Sequence, residues 1–165
     1  FLVGMGVVVD ALVEVDNDMM GGTTVTTPTP TPTPTPDPGQ IACGASHALH
    51  LWPDGTVVGL GSDEYGQATP PAGLEATAIS AGEYHSLALR ADGTVVGWGY
   101  NHSGQATPPA GLEATAISAG GSHSLALRAD GTVVGWGSDQ GGQATPPAGL
   151  TGVTMIAAGG YHSSR

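Results

Sequence analysis

The chain has 165 residues, with 28 glycines and 13 prolines, and only 10% of its residues are charged. Glycine and proline are the weakest helix formers, so this composition argues against a helical core and favours short strands joined by turns. Fourteen acidic residues against three arginines and no lysine give a net charge of −11. Nucleic acid is therefore excluded as a partner, because binding a phosphate backbone requires a basic patch.

Residues 1–22 are first apolar and then acidic, and we interpret them as the remnant of a preceding segment. The apolar run of residues 1–9 ends at Asp10. This run is too short to span a bilayer, and it has neither the basic start nor the cleavage site of a signal peptide. We therefore expect no membrane insertion.

Residues 23–40 form a low-complexity segment with the sequence TTVTTPTPTPTPTPDPGQ. Alternating proline fixes φ and removes amide donors, which predicts a disordered linker that favours extended polyproline II. Dense threonine with proline is also typical of O-glycosylated stalks. The composition thus favours an extracellular or cell-surface location.

Residues 41–165 contain an internal repeat. His47, His85 and His123 are spaced 38 residues apart, and His162 follows after 39. A fixed period near 40 residues indicates stacked supersecondary units. We place the units at residues 41–78, 79–116, 117–155 and, for a partial copy, 156–165.

Each unit has the pattern of about three strands and a connection. In the second unit, residues 78–81 are short and mostly apolar, and residues 85–90 alternate with Leu87 and Leu89 on one face. Asp92-Gly93 is a strong hairpin signal, and the β-branched and aromatic residues 94–98 then return as the partner strand. No unit offers a helical stretch, because glycine or proline interrupts every candidate.

The segments AGEYHSLAL at 81–89, Asp92-Gly93, Trp98-Gly99 and Gly104-Gln105 resemble the repeat of the regulator of chromosome condensation family. The third unit matches equally well. The first unit departs from the pattern at Leu60, where tryptophan is expected, and at Trp52-Pro53, which replace Arg-Ala.

The resemblance implies an all-β fold, a partial β-propeller with about three complete blades and the start of a fourth. Propellers of this family have seven blades and use one face for partners. The short repeat is similar to that of secreted bacterial members, among them propellers that inhibit β-lactamases. Since closed propellers need four to eight blades, we expect the missing surface to be covered by further blades of the same parent chain or by self-association.

Candidate binding residues come from comparing residues 78–112 with 116–150, which differ at six positions. All six lie in two loops, one before the repeated histidine and one between Trp-Gly and Gly-Gln. All four tyrosines of the chain lie in these loops, and exposed tyrosine is a favoured anchor at binding surfaces. The candidate binding residues are Ser62, Asp63, Glu64, Tyr65, Glu83, Tyr84, Tyr100, Asn101, His102, Ser122, Asp139, Gln140 and Tyr161. The alternative is neutral drift, because exposed loops of duplicated repeats diverge first.

The recurring polar residues have simpler explanations than catalysis. His85 and His123 occupy separate units with no recurring carboxylate or cysteine at ligand spacing, so we expect each to bind a neighbouring backbone group rather than a metal. Asp92 and Asp130 precede glycine and are explained as turn residues. Cys43 aligns with alanines and is expected to fill a small buried slot. We therefore predict no catalytic residue, no metal and no cofactor.

We accordingly predict a protein–protein binding module that acts outside the cell and is not an enzyme. Three alternatives remain open: a structural or adhesin array without a specific ligand, a non-catalytic domain of a larger enzyme, and a guanine nucleotide exchange factor. The charge disfavours the last of these, because the exchange factor of this family acts at chromatin.

Overall fold

The computed structural model of the chain describes residues 39–161 and 163–164. These residues belong to the second of two compact units, which spans residues 36–165. The predicted remnant at 1–22, most of the linker at 23–40 and His162 lie outside the described residues. The first strand begins at Gln40, one residue inside the segment that was predicted to be linker.

The described residues form strands and turns, as the sequence predicts. Three antiparallel sheets have three strands each, in the order in which the strands follow along the chain. We call these sheets, with the connection after each, blades 1 to 3, and a two-stranded sheet begins blade 4. The strands are β1 (Gln40–Cys43), β2 (His47–Leu51), β3 (Val57–Gly61), β4 (Ala78–Ala81), β5 (His85–Leu89), β6 (Val95–Gly99), β7 (Ala116–Ala119), β8 (His123–Leu127), β9 (Val133–Gly137), β10 (Ala157–Ala158) and β11 (Ser163–Ser164). This part of the chain has no helix that could cross a membrane.

The hairpin between β5 and β6 forms where Asp92-Gly93 predicts it. Gly93 has a positive φ of 84°, and the amide of Thr94 donates to the Asp92 carboxylate at 2.9 Å. The same bond joins Thr132 to Asp130 in blade 3. The predicted turn role of these aspartates is confirmed, and the connection after β6 then returns to the blade through a bridge between Thr94 and Glu113.

The hydrophobic core lies between the blades. Leu49 and Leu51 of blade 1 pack against Ala88 and Trp98 of blade 2, and Leu87 and Leu89 of blade 2 pack in the same way against Ala126 and Trp136 of blade 3. Alternation along β2, β5 and β8 sends one set of side chains to each face of the sheet. Blade 2 is therefore stabilised by neighbours on both of its faces, and Trp98 and Trp136 pack between blades as predicted.

A buried main-chain carbonyl joins each blade to the next. The Gln67 carbonyl of blade 1 accepts two bonds from blade 2, from Ser86 Oγ at 2.8 Å and from Trp98 Nε1 at 2.9 Å. The buried His47 ring of blade 1 bonds to Ser86 through Nε2 at 2.9 Å. We call these three bonds the interblade latch. Blades 2 and 3 repeat it with Gln105, Ser124, Trp136 and His85.

The latch fixes the protonation of its histidine. Ser86 donates its hydroxyl hydrogen to Gln67, so it can only accept from His47, which places the ring hydrogen on Nε2. The same reasoning applies to His85, whose side chain is completely buried. Gly82 makes room for this ring, since a Cβ at that position would lie 2.6 Å from His85 Nδ1 and 2.5 Å from the Gly120 carbonyl oxygen.

Two predictions about buried residues were wrong. His85 bonds to a serine hydroxyl 39 residues away rather than to a neighbouring backbone group, because stacking brings that serine to the ring. Cys43 is exposed rather than buried. It lies on the face of blade 1 that corresponds to the covered faces of blades 2 and 3, and none of the described residues covers that face.

The open face of blade 1 differs in chemistry from the covered faces. It exposes 70% of Ile41 and 64% of Leu60. Ala48 and Leu60 occupy the positions of Ser86 and Trp98, so neither latch donor is present. A neighbour with the usual histidine and glutamine would leave a buried nitrogen and a buried carbonyl without bonds on this side, which is destabilising.

We predict that the stability of the chain falls between pH 6.5 and pH 4. Desolvation by burial, followed by the charges of His123 and His47, lowers the pKa of His85 to about 4. The unfolded chain therefore binds more protons than the folded chain in this range. Stability is fully present above pH 6.5 and is lost as the pH falls toward 4, by up to about 3 kcal/mol from this residue.

Urea denaturation at several pH values measures the effect. The variant His85→Gln should be less stable at pH 7 and should lose part of the pH dependence. The matched variant His102→Gln changes an exposed histidine and should keep the part of the dependence that His85 supplies. Equal pH profiles for the two variants would contradict the assignment of a buried neutral ring at His85.

Candidate binding face

Both variable loops of every blade lie at one end of the strands. Because β5 begins at His85 and its antiparallel partner β6 ends at Gly99, the loops before and after them meet. The amide of Tyr100 donates to the Tyr84 carbonyl at 2.8 Å, and equivalent bonds join Ser62 to Ser46 and Ser138 to Ser122. We call this end of the blades the loop end, and all thirteen predicted binding residues lie on it. Whether they bind a partner stays a prediction.

A glycine at the end of β6 permits the two loops to approach. Gly99 has a positive φ of 91°, a conformation that other residues adopt at a cost. A Cβ there would also lie 2.7 Å from the Tyr84 carbonyl oxygen. The Trp-Gly motif therefore combines an interblade tryptophan with a loop junction that only glycine fits.

Three of the predicted binding residues hold the second loop in shape. The Asp63 carboxylate accepts from the amide of Ala68 at 2.8 Å and from the Thr69 hydroxyl at 2.6 Å. These bonds hold the pKa of Asp63 below its ordinary value, the Thr69 hydroxyl contributing most. Asp139 in blade 3 accepts the same two bonds in its own loop. Asn101 in blade 2 accepts the amide of Ala106 and donates its side-chain amide to the Thr107 hydroxyl. The change between aspartate and asparagine at this position therefore preserves the conformation of the loop.

The repeated glutamine connects the loops to the interblade latch. While its carbonyl accepts the latch bonds, the buried Gln67 side chain accepts the Tyr65 amide at 2.9 Å. Gln105 binds the amide of Ser103, and Gln143 binds that of Gly141. This role was missed in the sequence analysis, although the invariant Gly-Gln of each unit was visible there.

Three tyrosines meet where blades 1 and 2 adjoin. Tyr65 and Tyr100 have ring centroids 4.9 Å apart, Tyr65 and Tyr84 5.6 Å, and Tyr84 and Tyr100 6.4 Å, all in edge-to-face arrangements. We call them the tyrosine patch. Tyr65 remains 48% exposed and Tyr84 37% exposed, and His102 stacks on Tyr100 at 6.2 Å. The sequence placed each tyrosine in a loop, but only the stacking of blades brings them together.

A polar cleft of about 340 Å³ lies beside the patch on the same end. Tyr161 lines this cleft and exposes 87% of its surface, whereas the ring contacts of the patch join Tyr65, Tyr84 and Tyr100. The cleft is lined mainly by small and amide-bearing residues, including Ser103, Ser122, Ser138, Gln140, Gln143 and Tyr161. Ser122, Gln140 and Tyr161, which the sequence predicted separately, thus share one surface feature.

Both ends of the blades carry acidic residues, but the described arginines lie only at the end opposite the loop end. Glu64 and Glu83 directly precede tyrosines of the patch in the sequence, Asp63 lies in the same loop as Glu64, and Asp139 lies in the corresponding loop of blade 3. The two described arginines, Arg90 and Arg128, each begin one of the Asp-Gly turns at the opposite end. Within residues 39–161 the loop end is therefore acidic and carries no lysine or arginine. No group of three metal-ligating side chains occurs among the described residues.

We predict that Asp63→Ala lowers the free energy of unfolding, since it removes two bonds that shape the loop. Asp63→Asn should be close to neutral, because Asn101 makes the equivalent bonds in blade 2. The matched variant Glu64→Ala alters the neighbouring exposed acid and should leave stability unchanged. Urea denaturation measures all three, and equal stabilities for the two alanine variants would contradict the structural role of Asp63.

Comparison with known proteins supports the relationship that the repeats suggest. Residues 76–105 and 114–143 match the family model of the regulator of chromosome condensation (RCC1) repeat. No curated protein matches the sequence significantly.

Several solved structures share the fold. Yeast RCC1 (Prp20), in a crystal structure with Kap60 bound, is 25% identical with a TM-score of 0.61, over 75% of this chain and 40% of that one. The ectodomain of the receptor kinase CR4 from Physcomitrella patens is 26% identical with a TM-score of 0.59, over 72% and 32%. The ectodomain of the receptor kinase ACR4 from Arabidopsis thaliana is 23% identical with a TM-score of 0.65, over 74% and 44%.

The chain thus spans less than half the length of these structures, and its three described sheets correspond to part of a propeller. The two matched segments coincide with blades 2 and 3, in which the interblade latch, the Asp-Gly turn and the Gly-Gln motif are all present. Two segments of the chain therefore match the regulator of chromosome condensation repeat, and the described sheets have the fold of part of a β-propeller of that type.

Proposed function

We propose that the chain is an extracellular protein–protein binding module that recognises its partner through the loop end of its blades and does no catalysis. The observation that carries this function is the tyrosine patch. Three aromatic side chains from two blades converge on the end where the repeats differ, and two of them remain more than one third exposed.

The physical properties of the tyrosine side chain favour its role as an anchor in a protein–protein interface. A tyrosine side chain brings a large apolar surface with little conformational freedom to lose, and its hydroxyl remains available for a hydrogen bond. Edge-to-face contacts with the other two rings also restrict Tyr100, so less entropy is lost on binding than for an isolated side chain. Clusters of this kind are typical of the few residues that dominate the affinity of an interface.

The restriction of the sequence differences to loops, on strands and turns that do not differ, also supports binding. Blades 2 and 3 share their strands, their turns and their latch, and differ at six loop positions. One of the six, Asn101 or Asp139, keeps its structural bonds. The remaining differences, among them Tyr84 against Ser122 and Tyr100 against Ser138, change the surface and leave the strands, the turns and the interblade latch the same.

Two relatives bear on partner class and location. Yeast RCC1 was solved with the protein Kap60 bound, so a protein that contains this repeat type can bind another protein. The propeller of Physcomitrella patens CR4 belongs to the ectodomain of a receptor kinase. An extracellular location for this chain agrees with that example and with the Thr-Pro composition of residues 23–40.

A structural array is the second candidate, since near-identical blades can also serve only as a spacer that binds no specific ligand. It predicts that the exposed tyrosines can be replaced without consequence. Capture experiments with the whole chain as bait and secreted and cell-surface proteins as prey separate the two functions.

We expect the whole chain to retain a partner that the triple variant Tyr65→Ala, Tyr84→Ala, Tyr100→Ala loses, because the patch supplies the anchors. The matched control is Trp52→Ala, which removes an aromatic residue that is 51% exposed at the opposite end of blade 1, and which should retain the partner. Circular dichroism and urea denaturation establish that the variants are folded. Identical prey for all three baits would contradict binding at the loop end.

A further inference from the structure

We propose that the tyrosine patch binds a basic segment of its protein partner, with arginine or lysine side chains placed on the tyrosine rings and further basic residues meeting Glu64 and Glu83 of the same loops. This rests on the proposed function, and it specifies the chemistry of the partner at the same surface.

The first support is the position of the charges around the patch. Glu64 precedes Tyr65 and Glu83 precedes Tyr84, so each of the two loops that carry these rings also carries an acidic residue. The Glu83 carboxylate lies toward blade 3, since its Oε2 would be 3.4 Å from a Cβ at Gly121. Asp63 adds a third negative charge within the loop of Glu64, and Asp139 a fourth in blade 3. Since the two described arginines lie at the Asp-Gly turns, none of them neutralises this end. A cation that approaches the loop end is attracted, and an anion is repelled.

The second support is the arrangement of the rings. Aromatic faces carry negative electrostatic potential and attract a cation that lies within about 6 Å of the ring centroid. The three rings meet edge to face at 4.9–6.4 Å, so their exposed surfaces lie within reach of one guanidinium or ammonium group and its aliphatic stem. The carboxylates carried by the same loops can then bind neighbouring basic residues of the segment.

The combination disfavours other occupants. An apolar helix or strand placed over the rings would bury Glu64 or Glu83 without a partner, which is costly. A phosphorylated or acidic segment would meet four like charges. A basic segment satisfies the rings and the carboxylates together.

The probe is a fluorescein-labelled nonapeptide that alternates arginine with serine, compared with versions carrying lysine or glutamine in place of arginine. Fluorescence anisotropy measures binding to the whole chain at low and at high salt. We expect the arginine and lysine peptides to bind, the glutamine peptide to bind at least about tenfold more weakly, and the affinity to fall with salt as surface charges are screened.

Matched variants separate this surface from the general negative charge of the chain. Glu64→Gln with Glu83→Gln should weaken the arginine peptide about tenfold, whereas Glu75→Gln with Glu113→Gln, the same change at the opposite end, should weaken it less than about threefold. Replacing the three tyrosines by phenylalanine should preserve binding, and replacing them by alanine should abolish the difference between the arginine and glutamine peptides.

Two results would overturn the inference. One is equal binding of the arginine and glutamine peptides, and the other is an equal loss in the two glutamate double variants. If the captured partner is still lost in the tyrosine-to-alanine variant while the arginine peptide binds no better than glutamine, the proposed function stands and the basic partner is wrong. If the tyrosine variant retains every captured protein, the proposed function itself is wrong.

Discussion

Two hydrogen bonds to one buried carbonyl determine how each blade sits on the next. Gln67 O receives Ser86 and Trp98 from blade 2, and the apolar contacts of Leu49 and Leu51 with Ala88 surround those bonds. Apolar packing alone is not directional and would tolerate sliding of one sheet over another. Hydrogen bonds in a buried site have a fixed geometry and are costly to break, so they fix a single arrangement of the blades.

The same glutamine makes the loop end a defined surface. Its side chain holds the loop that carries Tyr65, while its carbonyl holds the blade that carries Tyr84 and Tyr100. Tyrosines from two blades can therefore meet at 4.9–6.4 Å although they are 16 to 35 residues apart in the chain. The interblade latch, which is the same in blades 2 and 3, therefore positions loop side chains that differ between these blades.

Most of the fold could be predicted from the sequence, because its determinants are local. The Asp-Gly turn, the alternation in residues 85–90 and the 38-residue period are read directly from neighbouring residues. The partners of His85 and the exposure of Cys43 could not be predicted, because both depend on which blade stacks against which face. The sequence placed all thirteen candidate residues in loops. It could not show that the Asp63 carboxylate accepts hydrogen bonds within its own loop, or that three tyrosines from two blades form one patch.

A double-variant cycle on Ser86→Ala and Trp98→Phe tests the interblade latch most directly, with the free energy of unfolding as the measurement. Each single change leaves the Gln67 carbonyl with one donor, whereas the double change leaves it buried with none. The account predicts that the double variant loses about 1 kcal/mol or more beyond the sum of the single losses. Strict additivity of the two changes would contradict the claim that this carbonyl joins the blades.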